Sequence, residues 1–330
     1  MSTLPSTAEL LSAARVVSIP MRIKFRGILH REALLVEGPA GWGEFCPFPE
    51  YDDAEAEPWL RSAIEAGWQG FPPAVRKRVA VNATVPAVPA AEVEPILARF
   101  GPVVAVKVKV AELGQTTADD LARVAEVRRL LPAAGLRVDA NGGWTVAEAI
   151  TALTAFAEHT LEYAEQPVMA IDGLRAVRLE LRRRGIDLLI AADESVRKET
   201  DPLRVAREDA ADLLVIKAAP LGGVRRALEI VAQAGLPAVV SSALDTSVGI
   251  SAGVALAAAL PELPYACGLG TVSLMQGDVT EHPLVPDGGW LTTGPVQVSD
   301  DLLKAYAADP HRTTWWLERL ERVSTRLGAA

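Results

Sequence analysis

The sequence predicts an α/β protein, a parallel (β/α) barrel preceded by a small α+β unit. Three observations predict it. Short apolar, β-branched runs recur at Val79–Val85, Val103–Val110, Leu136–Ala140, Leu161–Glu165, Asp187–Ala192, Leu213–Lys217, Ala238–Ser242 and Tyr265–Gly268. Such near-continuous apolar runs suit strands buried on both faces of a parallel sheet. Helix-periodic stretches separate them, at Ala118–Leu131, Val146–His159, Leu174–Arg184, Val224–Ala234 and Ser247–Leu260. Gly135, Gly185 and Gly235 each close a helical stretch just before the next run, the position of a C-cap glycine. Eight runs alternating with helices over about 190 residues fit a closed barrel. An open doubly wound sheet is the competing architecture, but no G-x-G-x-x-G follows the first run to support it.

The flanks are organised differently. Residues 1–78 read as the α+β unit, with a hairpin over Arg22–Val36, the segment Gly41-Trp42-Gly43-Glu44, and an acidic helical stretch from Asp52 to Ala66. The barrel then spans 79–289. After about Gly288, a turn-rich stretch leads to two short helices, Asp300–Ala307 and Thr313–Leu327, within 290–330. The Trp315-Trp316 pair is expected to pack the terminal helix onto the N-terminal unit.

Half of the 330 residues are hydrophobic and 23% are charged, which excludes a disordered chain. The net charge of −9 argues against nucleic-acid binding through a basic field. It remains compatible with a small anionic substrate, because a local site can invert the sign. Two distant cysteines, Cys46 and Cys267, form no disulfide framework and fit a reducing cytoplasm. The apolar stretch Val248–Leu260 is closed by Pro261 and Glu262, too short to span a bilayer, so no membrane insertion is expected. Oligomeric state is not legible in these patterns.

The chemistry of a barrel lies at the C-terminal ends of its strands. The second run ends Lys107-Val108-Lys109, and residues two apart share a face, so both ammonium groups project together. The third run ends Asp139-Ala140-Asn141, the fourth Glu165-Gln166-Pro167, the fifth Asp193-Glu194-Ser195 and the sixth Lys217. Each piece alone has an ordinary structural explanation, such as a solvated strand edge, a turn starter or a helix cap. Their succession on five strand ends is hard to obtain by chance. Three carboxylates converging in one mouth would repel each other unless a cation sat among them. Oxygen-only ligands favour one Mg²⁺ or Mn²⁺ ion over zinc.

This order resembles the enolase superfamily, and within it the muconate-lactonising subgroup. The resemblance covers nearly the whole chain. It implies a modified (β/α)7β TIM-type barrel with an N-terminal α+β capping domain completed by the C-terminal segment. It also implies a metal held by Asp139, Glu165 and Asp193. A mandelate-racemase-like site would need a His-Asp dyad where this chain has Lys217 and Ser241-Ser242. Arg26-Gly27, His30-Arg31-Glu32 and Gly41–Pro49 resemble the subgroup's o-succinylbenzoate-forming dehydratases of menaquinone biosynthesis.

The resemblance then implies a syn dehydration through an enediolate. Lys109 is the base and its conjugate acid protonates the departing hydroxyl. Lys107 tunes Lys109, and Lys217 acts as a cation on the opposite face. Asn141 and Glu194 orient these groups. The substrate's second carboxylate is expected near Arg26, Ser241, Ser242, Gly268 and Leu269. Backbone N–H groups at Gly268-Leu269-Gly270 can form an anion nest, and equally those glycines can serve loop geometry alone. N-succinylamino-acid racemisation and dipeptide epimerisation use the same two lysines and stay open, as does a non-enzymatic barrel. The absence of an acid in Cys267–Thr271 counts against the dipeptide.

Overall fold

The computed structural model describes residues 4–25, 27–198 and 200–329. The N-terminal unit is an antiparallel sheet of β1 (Ala14–Phe25), β2 (Ile28–Gly38) and β3 (Gly41–Phe45), in that order. Helix Asp53–Ile64 packs on it and ends in a π-helical turn, Glu65–Gln69. Glycine makes this packing possible. A methyl group on Gly43 would overlap the Ala63 carbonyl, and one on Gly38 would overlap Gly67. The Gly-Trp-Gly-Glu segment is therefore a packing seam, with the helix backbone lying almost on the sheet backbone.

Next come β4 (Arg78–Ala80), β5 (Ala83–Val85), β6 (Ala105–Lys109), β7 (Gly135–Asp139), β8 (Tyr163–Glu165), β9 (Leu189–Ala192), β10 (Leu213–Ile216) and β11 (Ala238–Val240). The last strand is β12 (Trp290–Thr292). Strands β5 to β11 form one parallel sheet in sequence order. Residues 266–268 close it into a ring. Cys267 bridges Val81 in parallel on one side and Gly268 bridges Ser241 on the other. This is the predicted TIM-type barrel, with its eighth stave reduced to single bridges. A small cluster of Tyr163, Ala191, Leu213, Val215 and Val239 fills the interior. The larger core lies between the strands and the surrounding helices and continues into the N-terminal unit.

Three expectations are corrected. The run Val79–Val85 is not one strand. Its first part, β4, pairs antiparallel with β12, and the Val81 amide bonds the Gly289 carbonyl before the chain joins the ring at β5. Gly135 is not a C-cap but the first residue of β7, where a side chain would collide with the Glu162 carboxylate. Gly185 and Gly235 do take left-handed backbone, at φ 73° and 66°. The last helix, Pro310–Ala329, is 20 residues long rather than short.

Two glutamates of the N-terminal unit dock it on the barrel by capping barrel helices. Helix Val224–Ala234 starts after Gly223, which has no side chain to offer. Glu65 accepts instead from the Val224 and Arg225 amides, at 2.5 and 3.1 Å. Glu44 accepts from the Gly249 amide at 2.9 Å and from the Thr246 hydroxyl, at the start of helix Ser247–Ala259. Both place carboxyl oxygens where a helix presents unsatisfied N–H groups.

The terminal helix packs against the N-terminal sheet. Trp316 is fully buried, meets Phe45 edge-on at 6.0 Å, and donates its Nε1–H to Glu32 at 2.8 Å. Arg312 holds the same carboxylate. Arg319 donates to the carbonyls of Tyr51 and Phe48, at 2.6 and 3.2 Å. No helix among the described residues is long and apolar enough to cross a membrane.

Trp316→Ala should lower unfolding stability by about 3–5 kcal/mol, the cost of emptying a fully buried aromatic site. Urea unfolding monitored by circular dichroism checks this. A loss under about 1 kcal/mol would contradict the anchoring role of this side chain.

Candidate active site

The strand register brings the polar strand ends together. Lys109 faces Asp139 across β6–β7, and Asp139 faces Glu165 across β7–β8. Ala191 lies opposite Glu165, so Asp193 follows two residues beyond on the same face. Lys217 directly follows β10, four staves around the ring from β6. The two lysine sets thus stand on opposite sides of the mouth with the carboxylates between.

Lys107 Nζ lies 2.8 Å from Glu165 Oε1 and 3.3 Å from Asp139 Oδ2. Lys109 pairs with that same Asp139 oxygen and donates to Asn141 Oδ1 at 2.8 Å. Lys217 pairs with Asp193. Asp139, Glu165 and Asp193 are all at least 96% buried, as their exposures of 0%, 1% and 4% show. Burial, together with the neighbouring charges of Asp139 and Asp193, pushes the Glu165 carboxyl up to about 7, against the pull of Lys107. Burial alone would depress the Lys107 ammonium, but Glu165 and Asp139 hold it charged, above the ordinary lysine range.

The donor set suits a hard divalent ion. It consists of carboxylate oxygens from three adjacent staves, and Glu165 Oε2 is buried without a hydrogen-bond partner. An orphaned carboxylate oxygen in so dry a place marks a position where further positive charge is called for.

Lys107, Lys109, Asp139, Asp193 and Lys217 line a small inner cavity of about 40 Å³, together with Phe48, Thr84, Ser241, Ser242, Gly268 and Thr271. Phe48, Lys217 and Ala243 also line a cleft of about 610 Å³ that runs out beneath helix Asp53–Ile64. Ser242 Oγ donates to the Gly268 carbonyl at 2.9 Å and shares a 2.8 Å bond with Thr271 Oγ1.

One amide of the expected anion nest is already taken. The Gly268 amide donates to the Val240 carbonyl at 2.8 Å, so ring closure already uses it. Leu269 is fully buried against Gly253 and does not line the cavity. Gly268 lacks a side chain because one would meet Ser241 Oγ at 2.6 Å. Arg26 lies outside the described residues.

Asn141 joins Lys109 to Glu194, donating from Nδ2 to Glu194 Oε1 at 3.1 Å. Its backbone takes φ 46°. Gln166, one strand over, takes φ 38°. It was not anticipated as a site residue. Its Oε1 accepts from the Asp193 and Ser195 amides at 2.8 and 3.2 Å, and its Nε2 donates to Ser195 Oγ at 2.7 Å. Positive φ at two neighbouring strand ends is the local strain that functional sites retain. The available signal was an amide side chain placed directly after a candidate ligand and before a proline. Thr84 was also missed, although it is the one polar residue of Ala83–Val85.

A second acidic cluster, Glu44, Cys46 and Asp245, sits where the N-terminal unit meets the barrel. Its ligand atoms are close together and all buried. Its members bond to one another and to the barrel around them. The Cys46 thiol donates to Asp245 Oδ1 at 3.4 Å, and Asp245 Oδ2 accepts from the Ala243 amide at 3.0 Å. Burial and the Glu44 charge push the thiol well above its ordinary value. This cluster forms a buried polar joint between the N-terminal unit and the barrel.

A family model described as enolase C-terminal domain-like matches residues 90–295, and one described as enolase N-terminal domain-like matches residues 16–67. The chain is 53% identical over 319 residues to the o-succinylbenzoate synthase of Mycobacterium tuberculosis, covering 96% of this chain and 95% of that protein. It is 51% identical over 321 residues to the o-succinylbenzoate synthase of Mycobacterium leprae, with 96% and 93% covered. Among solved structures, 2-chloromuconate cycloisomerase from Rhodococcus opacus shares the fold. The TM-score is 0.75 at 23% identity, covering 90% of this chain and 98% of that one.

The polar joint generates a pH prediction. Burial, with Asp245 beside it, raises the Glu44 carboxyl from 4.5 to about 7. A raised acid binds its proton more tightly folded than unfolded. Its contribution is fully present below the unfolded value and is lost as pH rises through about 7. Glu44→Gln should therefore flatten the decline in unfolding free energy between about pH 4.5 and 7. Chemical denaturation across that range checks it, and an unchanged slope would contradict the assignment.

Proposed function

This chain belongs to the enolase superfamily, within the family of o-succinylbenzoate synthases, and we propose that it dehydrates 2-succinyl-6-hydroxy-2,4-cyclohexadiene-1-carboxylate to o-succinylbenzoate. That makes it a lyase. The observation that carries the mechanism is the placement of Lys109 and Lys217 on opposite sides of one small cavity, with three buried carboxylates between.

The difficulty of the reaction is acidity. A proton α to a carboxylate is held tightly because its removal puts a second negative charge on the carboxylate oxygens. Enzymes of this superfamily use a divalent metal; here Asp139, Glu165 and Asp193 would hold Mg²⁺ or Mn²⁺, which supplies the compensating positive charge. Lys109, no longer needed as the counter-charge of Asp139, then serves as the base. Its conjugate acid delivers a proton to the hydroxyl leaving from the same face, which makes the elimination syn. Lys107, held charged between Glu165 and Asp139, stays a cation throughout. Lys217 remains an ammonium ion on the far face and stabilises the developing charge.

Charge balance supports this reading. Each of the three carboxylates pairs with a lysine in the pocket, and a divalent ion would supply the positive charge that Lys109 gives up when it acts as the neutral base. The succinyl arm, too long for the inner cavity, extends past Phe48 into the 610 Å³ cleft. Ser241 and Ser242 line the wall beside the ring. Arg26 stays assigned to the capping side of the substrate on the resemblance alone.

Lysines on two faces would also serve a racemase, in which Lys217 returns a proton. Lys109→Ala should abolish both o-succinylbenzoate formation and exchange of the substrate α-proton with deuterated solvent. Lys217→Ala should cripple dehydration but leave exchange measurable by NMR. Dehydration that survives Lys109→Ala, with exchange lost in Lys217→Ala, would reverse the two faces. Turnover of N-succinyl amino acids exceeding that of the cyclohexadiene would replace the proposed reaction with racemisation.

A further inference from the structure

A line of hydrogen bonds leaves the base and reaches the N-terminal unit. Lys109 Nζ donates to Asn141 Oδ1 at 2.8 Å, and Asn141 Nδ2 donates to Glu194 Oε1 at 3.1 Å. Arg197 Nη2 donates to the same Glu194 oxygen at 2.7 Å, while its Nη1 donates to the Tyr51 hydroxyl at 3.0 Å. Tyr51 is itself well fixed. Its ring meets Phe48 and Trp59 edge-on at 5.6 and 6.4 Å, and its carbonyl accepts from Arg319 of the terminal helix at 2.6 Å.

We propose that Arg197 is a positioning residue that couples the capping unit to the proton-transferring lysine, acting through Glu194 and Asn141. The guanidinium suits this task. Its planar fork holds two acceptors at fixed angles, which the point charge of a lysine cannot do. The other charged groups of the cleft are engaged within their own wall or only at the surface. Asp52 caps its own helix, Asp201 accepts from the Lys198 amide, and Lys198 meets Glu55 at 3.6 Å with 68% of its side chain exposed. Arg197 is hydrogen-bonded both to the capping unit and to a residue adjoining a strand-end carboxylate. Substrate arriving through the cleft passes beside it, so seating of the capping unit and alignment of Lys109 become one event. The inference rests on the assignment of Lys109 as the base.

The test uses the full chain with Mg²⁺. Arg197→Met should lower kcat by about 10- to 100-fold, as a misplaced base does, with a smaller change in KM and unchanged Mg²⁺ affinity by calorimetry. Arg197→Lys should recover part of kcat. Tyr51→Phe, which leaves the Glu194 contact, should show a smaller loss in the same direction. Arg197→Met combined with Asn141→Ala should lose no more than Asn141→Ala alone, because both act on one line. The Lys109 Nζ signal in lysine-¹⁵N-labelled protein, assigned with Lys109→Ala, should shift in Arg197→Met without any substrate present. An unchanged kcat, multiplying losses in the double variant, or an unmoved Nζ signal would overturn the proposal. If Arg197→Met does not fold, Arg197→Lys and Tyr51→Phe decide by the same readouts. Absence of wild-type turnover would refute the proposed reaction, and the Nζ signal would still decide the role of Arg197.

Discussion

Asp139, Glu165 and Asp193 place three negative charges at adjacent strand ends where water barely reaches, and the architecture of the mouth follows from compensating them. Isolated carboxylates so buried would take up protons, and the Glu165 carboxyl already moves in that direction. Lys107, Lys109 and Lys217 answer with three cations, each on a strand that flanks the acidic staves rather than among them. A parallel barrel is well suited to this constraint. Its strands end at one rim, and alternation along each strand aims every second side chain inward. Glu165 Oε2 is left over from this compensation, and it is the oxygen that invites an ion.

The capping unit is held by similar chemistry on a smaller scale. Glu44 and Glu65 cross from it to cap two barrel helices, and Arg312, Trp316 and Arg319 tie the last helix back to it. These polar bonds fix the position of the unit on an apolar core that continues from the barrel into it. The cleft beneath helix Asp53–Ile64 opens between these anchoring points. One wall of this cleft comes from the capping unit, through Phe48, Tyr51 and Trp59, and the other from the barrel, through Glu194, Arg197 and Lys217.

The barrel and the charged strand ends were legible in the sequence for one physical reason. A strand buried on both faces must be apolar along its length, so a lysine or carboxylate at its end stands out. What lay beyond reach depends on contacts across the chain. The run Val79–Val85 changes partner midway, from β12 to the ring, and nothing local marks the break. Gly135 has the look of a cap but is the first residue of β7. Gly268 offered an amide for an anion, yet ring closure uses it. Arg197 and Tyr51 are 146 residues apart, as are the partners of the polar joint by longer distances still, and only the fold brings such pairs together.

The central claim is that the strand-end carboxylates form the metal site. Manganese anomalous diffraction from crystals grown with Mn²⁺ tests it most directly. The account predicts one strong peak bounded by Asp139, Glu165 and Asp193, with the Lys109 ammonium moved off Asp139. A peak at Glu44, Cys46 and Asp245 instead, with the lysine–carboxylate pairs undisturbed, would contradict it.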